Sequence, residues 1–157
     1  MSRPVRLTVN GQARTLPVED HHVLLDVLRD ELRLFSVREG CGVGICGACT
    51  VLLDGAPVSS CLLLATRLEG RTITTVEGLG SEQALHPVQQ AFLEAGALQC
   101  GYCTPGLVLS VTALLDEDPD PSPQAVREYL SGNLCRCGAY PDILRAVDLA
   151  RERPANP

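Results

Sequence analysis

A chain of 157 residues holds one medium domain or two small ones, and a net charge of −6 with no basic stripe argues against a nucleic-acid partner. Aromatic residues make up 3% and Trp is absent, so any core must be aliphatic. No apolar run approaches membrane-spanning length, and Met1-Ser-Arg-Pro-Val-Arg leads into a strand pattern with no apolar leader, which sets the expectation of a cytoplasmic protein with reduced thiols.

In chain order, Val5, Leu7 and Val9 alternate along a first strand. Asn10-Gly11 supplies a tight turn, and Ala13 to Val18 returns as a second strand. Asp20 is placed to cap a helix whose apolar face is Leu24, Val27, Leu28 and Leu32. A glycine- and cysteine-rich loop follows. Thr50 to Leu53 and Pro57 to Ser60 pair about an Asp54-Gly55 turn, and β-branched Arg71 to Val76 is a further strand. Gly78, Gly80 and Ser81 mark a linker, beyond which the periodicity is helical. Pro87, Pro105, Pro123 and Pro141 each stand at a helix start. The inward faces are Val88, Ala91, Phe92 and Ala95, then Leu107, Val111, Leu114 and Leu115, then Val126, Tyr129 and Leu130, then Ile143, Ala146, Val147 and Ala150. Asp116 to Pro121 is an exposed acidic connector, and Pro154 to Pro157 a loose tail. The pattern is therefore α+β: a small sheet over residues 1–77, then a four-helix bundle over 78–157.

The chemistry lies in eight cysteines. Cys41, Cys46 and Cys49, with Cys61 further on, have the C-x4-C-x2-C spacing of a plant-type 2Fe–2S site. Cys100, Cys103, Cys135 and Cys137 supply a second set of four thiolates, each pair just before a helix start, where the helix dipole favours anionic sulfur. Gly40, Gly42, Gly44 and Gly47 let the first loop curl and aim backbone N–H groups at sulfur. A four-disulfide framework conflicts with reduced thiols, and structural zinc favours two C-x2-C pairs rather than C-x4-C-x2-C. The C-G-Y-C run lacks the leading strand of a thiol–disulfide redox motif. Gly42-x-Gly44-x-x-Gly47 matches the dinucleotide fingerprint literally, but its cysteines and context assign it to the cluster loop. Cys135 and Cys137, one residue apart, suit adjacent ligands on one iron. Arg136 between them either raises the potential or points to solvent. His21, His22 and His86 are exposed or capping residues, and no catalytic constellation is present.

The blocks EGCGVGICGACTVLLDG, QCGYCTPG and SGNLCRCGAYPDI together resemble the small iron–sulfur subunit of molybdenum hydroxylases, the xanthine dehydrogenase, aldehyde oxidoreductase, isoquinoline oxidoreductase and carbon monoxide dehydrogenase relatives. The resemblance runs from about residue 3 to 150. It implies an N-terminal β-grasp, plant-type ferredoxin-like domain and a C-terminal four-helix domain, each with one 2Fe–2S cluster. Cys41, Cys46, Cys49 and Cys61 would bind the outer cluster; Cys100, Cys103, Cys135 and Cys137 would bind the inner one. Gln99 would hydrogen-bond a molybdopterin cofactor held by a large partner chain, and Cys137 would approach the same pterin. Some relatives add a flavin subunit carrying FAD and others do not. The C-R-C-G-A-Y-P form is closer to the aldehyde and isoquinoline branch. The implied function is electron relay in an oxidoreductase, with no substrate-binding residue in this chain. The alternative is a free-standing two-cluster ferredoxin.

Overall fold

The computed structural model describes residues 1–81 and 83–153, so the expected tail, Pro154 to Pro157, lies outside the described residues. The expected α+β class holds: five strands form one sheet, and helices dominate after residue 86. Strands β1 (Ser2–Val9) and β2 (Gln12–Glu19) form an antiparallel hairpin with Val9 opposite Gln12. Asn10 and Gly11 take φ of 50° and 75°, the left-handed pair that a two-residue turn between twisted strands requires. Val5, Leu7 and Val9 are buried as the alternation predicts. Pro17 faces Pro4 on the outermost strand, where a missing N–H costs no inner ladder bond.

Helix α1 (Leu24–Asp26) and a wider turn over Val27–Glu31 bury Leu24, Leu25, Val27 and Leu28 against the sheet. The Asp20 cap is not formed. His22 N–H instead turns back to the Glu19 carbonyl, and the helix starts after Val23, with the Leu24 N–H bonded to the Leu63 carbonyl at 2.7 Å. A long-range backbone acceptor has replaced the local side chain, a choice that spacing alone does not reveal. Arg33, at φ 58°, ends the segment.

Strands β3 (Thr50–Leu53) and β4 (Ala56–Ser59) make the second hairpin, and β5 (Thr72–Thr74) completes the sheet in the order β2-β1-β5-β3-β4. β5 runs parallel to β1, pairing Thr72 with Thr8, and antiparallel to β3. It is shorter than the expected strand because Val76–Gly78 turns into a 3-10 coil.

Helices α2 (Pro87–Glu94), α3 (Thr104–Glu117), α4 (Pro123–Tyr129) and α5 (Tyr140–Arg151) start at the expected prolines. His86 caps α2 through Nδ1, and the Gln89 side chain returns to the His86 N–H. Ser122 caps α4. Asp116 to Asp120 is exposed as expected, whereas Pro121 is buried. Two apolar cores result: one between the sheet and α1, one among α2 to α5 around Phe92, Leu107 and Ile143. Leu52 of β3 packs on Leu109 and Ala113 of α3, so the sheet and the helices meet directly. Among the described residues no helix is long and apolar enough to cross a membrane.

Asn10 and Thr75 exchange side-chain and backbone bonds at 2.9 Å, and the Thr75 hydroxyl donates to Glu77 at 2.6 Å. Glu77 also accepts from the Ser36 N–H and hydroxyl. Partial burial pushes the Glu77 carboxyl up, but the Ser36 and Thr75 donors outweigh it and hold the group below the usual carboxylate range. Its stabilisation is therefore complete above the ordinary Glu range and is lost as pH falls through the lowered value. Glu77→Gln is expected to cost up to about 1 kcal/mol at pH 7, allowing for solvent screening, with the difference vanishing once pH has fallen well below the usual carboxylate range. Denaturant midpoints across that range check it.

Candidate metal centres

The first cysteine group sits in the loop between α1 and β3. Gly42, Gly44 and Gly47 take φ of 66°, 75° and 69°, and the loop curls around the Cys41 sulfur. That sulfur accepts N–H bonds from Val43 at 3.4 Å, Ile45 at 3.3 Å and Cys46 at 3.4 Å. Those donors lower the Cys41 thiol to about 6. Cys61 is brought back by the 3-10 turn Ser60–Leu62, where buried Ser60 donates through its hydroxyl to the Cys49 carbonyl at 2.8 Å. Burial first, then the neighbouring Cys49, pushes Cys61 up to about 11, although the Gly44 N–H points at it. Glycine is favoured at Gly44 by its φ of 75°; a side chain there would also push aside the exposed Leu62 side chain.

The second group is gathered from two separate turns. Cys103 is the residue before α3, and Cys135 and Cys137 precede α5. The Cys135 sulfur accepts the Ala139 N–H at 3.4 Å. Burial pushes Cys135 up, but the N–H donors of Ala139 and its neighbours outweigh it and lower the thiol. The Tyr102 N–H lowers Cys100, whereas burial and Cys135 push Cys103 up to about 12. Cys100 and Cys137 are exposed; Cys135 is buried.

Within each group the thiols meet as close pairs. Cys41 meets Cys46, Cys49 meets Cys61, Cys100 meets Cys137, and Cys103 meets Cys135. Cys135 and Cys137, whose spacing suits adjacent ligands on one iron, each lie beside a cysteine of the other turn. The intervening Arg136 is exposed to solvent. A single zinc ion needs its sulfurs packed tetrahedrally at Zn–S of about 2.3 Å. Among the described residues no three cysteine sulfurs lie within 4.8 Å of one another. Two pairs set apart instead fit a two-iron cluster, with a pair for each iron. Thr104, next to Cys103, has a buried hydroxyl with no partner, a donor that a bound acceptor group would satisfy. The donor sets thus fit one 2Fe–2S cluster each.

Gln99 is exposed beside Cys100. His21 is exposed and His22 half-buried on the turn after β2, and they take no part in either group.

The structure also brings together residues that sequence reasoning missed. Asn133, 6% exposed, donates to the Gly47 carbonyl and the Thr50 hydroxyl, both at 3.2 Å, and accepts from the Ser110 hydroxyl at 2.9 Å. The Leu134 N–H bonds to the Cys46 carbonyl at 2.9 Å. Arg38 donates to the Gly101 carbonyl and lies over the Tyr102 ring, 5.2 Å from its centroid, while the Tyr102 hydroxyl donates to the Glu39 carbonyl. The only sequence signal was position: each stands within a few residues of a cysteine.

Residues 7–79 match the family model of the 2Fe-2S iron-sulfur cluster binding domain, and 75–148 that of the 2Fe-2S binding domain. The chain is 49% identical over 152 residues to the nicotinate dehydrogenase small FeS subunit of Eubacterium barkeri, covering 97% of each. It is 50% identical over 143 residues to the nicotine 6-hydroxylase small subunit of Paenarthrobacter nicotinovorans, covering 91% of this chain and 86% of that one. Quinoline 2-oxidoreductase from Pseudomonas putida 86 superposes with a TM-score of 0.92 at 43% identity, over 96% of this chain and 94% of that one. The aldehyde oxidoreductase from Desulfovibrio desulfuricans gives 0.91 at 47% identity, over 94% of this chain but 17% of that longer one.

Gly47→Ala is expected to cost about 1–2 kcal/mol for the positive φ and roughly 1–3 more for collision with the Gly132 carbonyl and the Asn133 amide. Gly55→Ala, at φ 89° with open space around it, should cost only the first share. Equal denaturation midpoints for the two variants would contradict the close approach at Gly47.

Proposed function

This chain belongs to the family of small iron–sulfur subunits of molybdenum hydroxylases, and from that premise we propose how its eight cysteines are used. It is an electron-transfer subunit of an oxidoreductase complex. The free-standing carrier is not favoured, because relatives matched over most of their length are themselves named as subunits. The carrying observation is the gathering of the eight cysteines into two sets of paired thiols joined by a backbone bond. Each 2Fe–2S cluster, when bound, passes one electron at a time.

In this reading residues 1–77 form a β-grasp ferredoxin-like domain, and residues 78–157 a four-helix domain. Cys41, Cys46, Cys49 and Cys61 hold one cluster; Cys100, Cys103, Cys135 and Cys137 hold the other. Electrons arrive at the second set and leave from the first. The exposure of Cys100 and Cys137 supports this order, since a partner can approach them directly. That partner is a large molybdopterin-binding subunit, with the exposed Gln99 amide offered to the pterin and Cys137 beside it. Electrons leave to FAD in a further subunit or to an external acceptor. The use of every cysteine as a ligand supports a cytoplasmic setting.

Iron and acid-labile sulfide assays are expected to find two clusters, with two distinct EPR signals on reduction; a colourless protein would refute the reading. In the intact complex, Cys137→Ser should abolish the signal of the second set, keep that of the first and remove about half the iron. Turnover should stop. Normal steady-state turnover in that variant would sink the relay assignment.

A further inference from the structure

We propose that Asn133 is a positioning residue for electron transfer between the two cysteine sets, clamping the Cys46 carbonyl onto the Leu134 N–H. This rests on the two-cluster reading above. The backbone of Cys46 reaches that of Cys135 through one hydrogen bond, from the Leu134 N–H to the Cys46 carbonyl. Both end residues are thiolate ligands in that reading, so the bond is a backbone route from one set to the other.

The bond by itself does not fix its own geometry. Leu134 is about half exposed, and the loop around Cys46 carries the exposed side chains of Val43 and Ile45. Asn133 stands immediately before Leu134 and is buried. Its amide nitrogen holds Gly47, the residue after Cys46, and also Thr50 at the start of β3. Its oxygen is held by buried Ser110 in the middle of α3. The three bonds therefore tie the first cysteine loop, the second cysteine turn and the longest helix to one side chain. Gly106 of α3 presses on the Gly47 carbonyl from the same side, leaving no room for a side chain. With Gly47 and Asn133 bonded to each other, the neighbouring Cys46 carbonyl and Leu134 N–H are held face to face at 2.9 Å. Arg38 and Tyr102 hold the far end of the same junction, so losing Asn133 loosens the route without separating the two halves.

The test uses the intact complex with wild-type, Asn133→Ala and Ser110→Ala chains, each assayed for iron first. Hydrogen exchange of the peptide spanning residues 132–135 is expected to be about tenfold faster in Asn133→Ala, equivalent to about 1.4 kcal/mol of lost protection. The rate at which electrons equilibrate between the two clusters, followed by rapid-freeze EPR of their separate signals, should fall several-fold, a change that general destabilisation of a loaded protein would not produce. Ser110→Ala keeps the amide donors to Gly47 and Thr50 and should show the same changes in smaller degree. An Asn133→Ala chain carrying both clusters with wild-type exchange and transfer rate would overturn the proposal. If that variant holds no iron, unchanged exchange and transfer rate in Ser110→Ala would overturn it instead. Wild-type protein without iron would overturn the two-cluster reading, a failure distinct from these.

Discussion

Where the first cysteine loop meets the helices, backbone has to touch backbone. Gly47, Gly106 and Gly132 stand at that contact, and a side chain at Gly47 or Gly106 would collide with a carbonyl across it. The rest of the arrangement depends on this closeness. It lets the Asn133 amide reach Gly47 and Thr50, and it places the turn before Cys135 against the carbonyl of Cys46. A wider gap filled by side chains would leave two sound small folds with no bonded connection between their thiols. The packing of Leu52 on Leu109 and Ala113 supplies the apolar support for the same contact.

The electrostatics of the two sets share one design despite their unlike frameworks. In each, a thiol near the surface is lowered by backbone N–H donors, by three neighbours at Cys41 and chiefly by Tyr102 at Cys100. In each, a more buried thiol is pushed up by desolvation, as Cys61 and Cys103 are. Backbone N–H groups thus solvate negative charge at Cys41, Cys100 and Cys135, while burial leaves Cys61 and Cys103 to depend on a bound metal. Glycine-rich curling does this in the first set. In the second it falls to the turns that precede α3 and α5.

Much of this was legible in the sequence because it is local. Asn10-Gly11 specifies its turn, the prolines mark four helix starts, and the cysteine spacings name the cluster type. What escaped was decided across long separations. The cap of α1 went to a carbonyl at Leu63 instead of to Asp20, because the folded chain brings that backbone acceptor to the Leu24 N–H. The closeness of Cys135 to Cys103 follows from two turns facing each other, which one-residue spacing cannot express. Asn133 looked like an ordinary loop residue, since its partners lie 83 and 86 positions away.

The parallel pairing of β1 with β5 imposes an order of events on the chain. Thr8 finds Thr72 only after everything between them has been looped out, whereas each hairpin closes over two residues. Contacts that enclose long loops pay their closure entropy before gaining anything and form after local ones. Cys41 to Cys61 all lie inside this large loop. The nascent chain must therefore present its thiols on an open, half-built sheet, and the strand that seals the sheet is made after the last of those four cysteines.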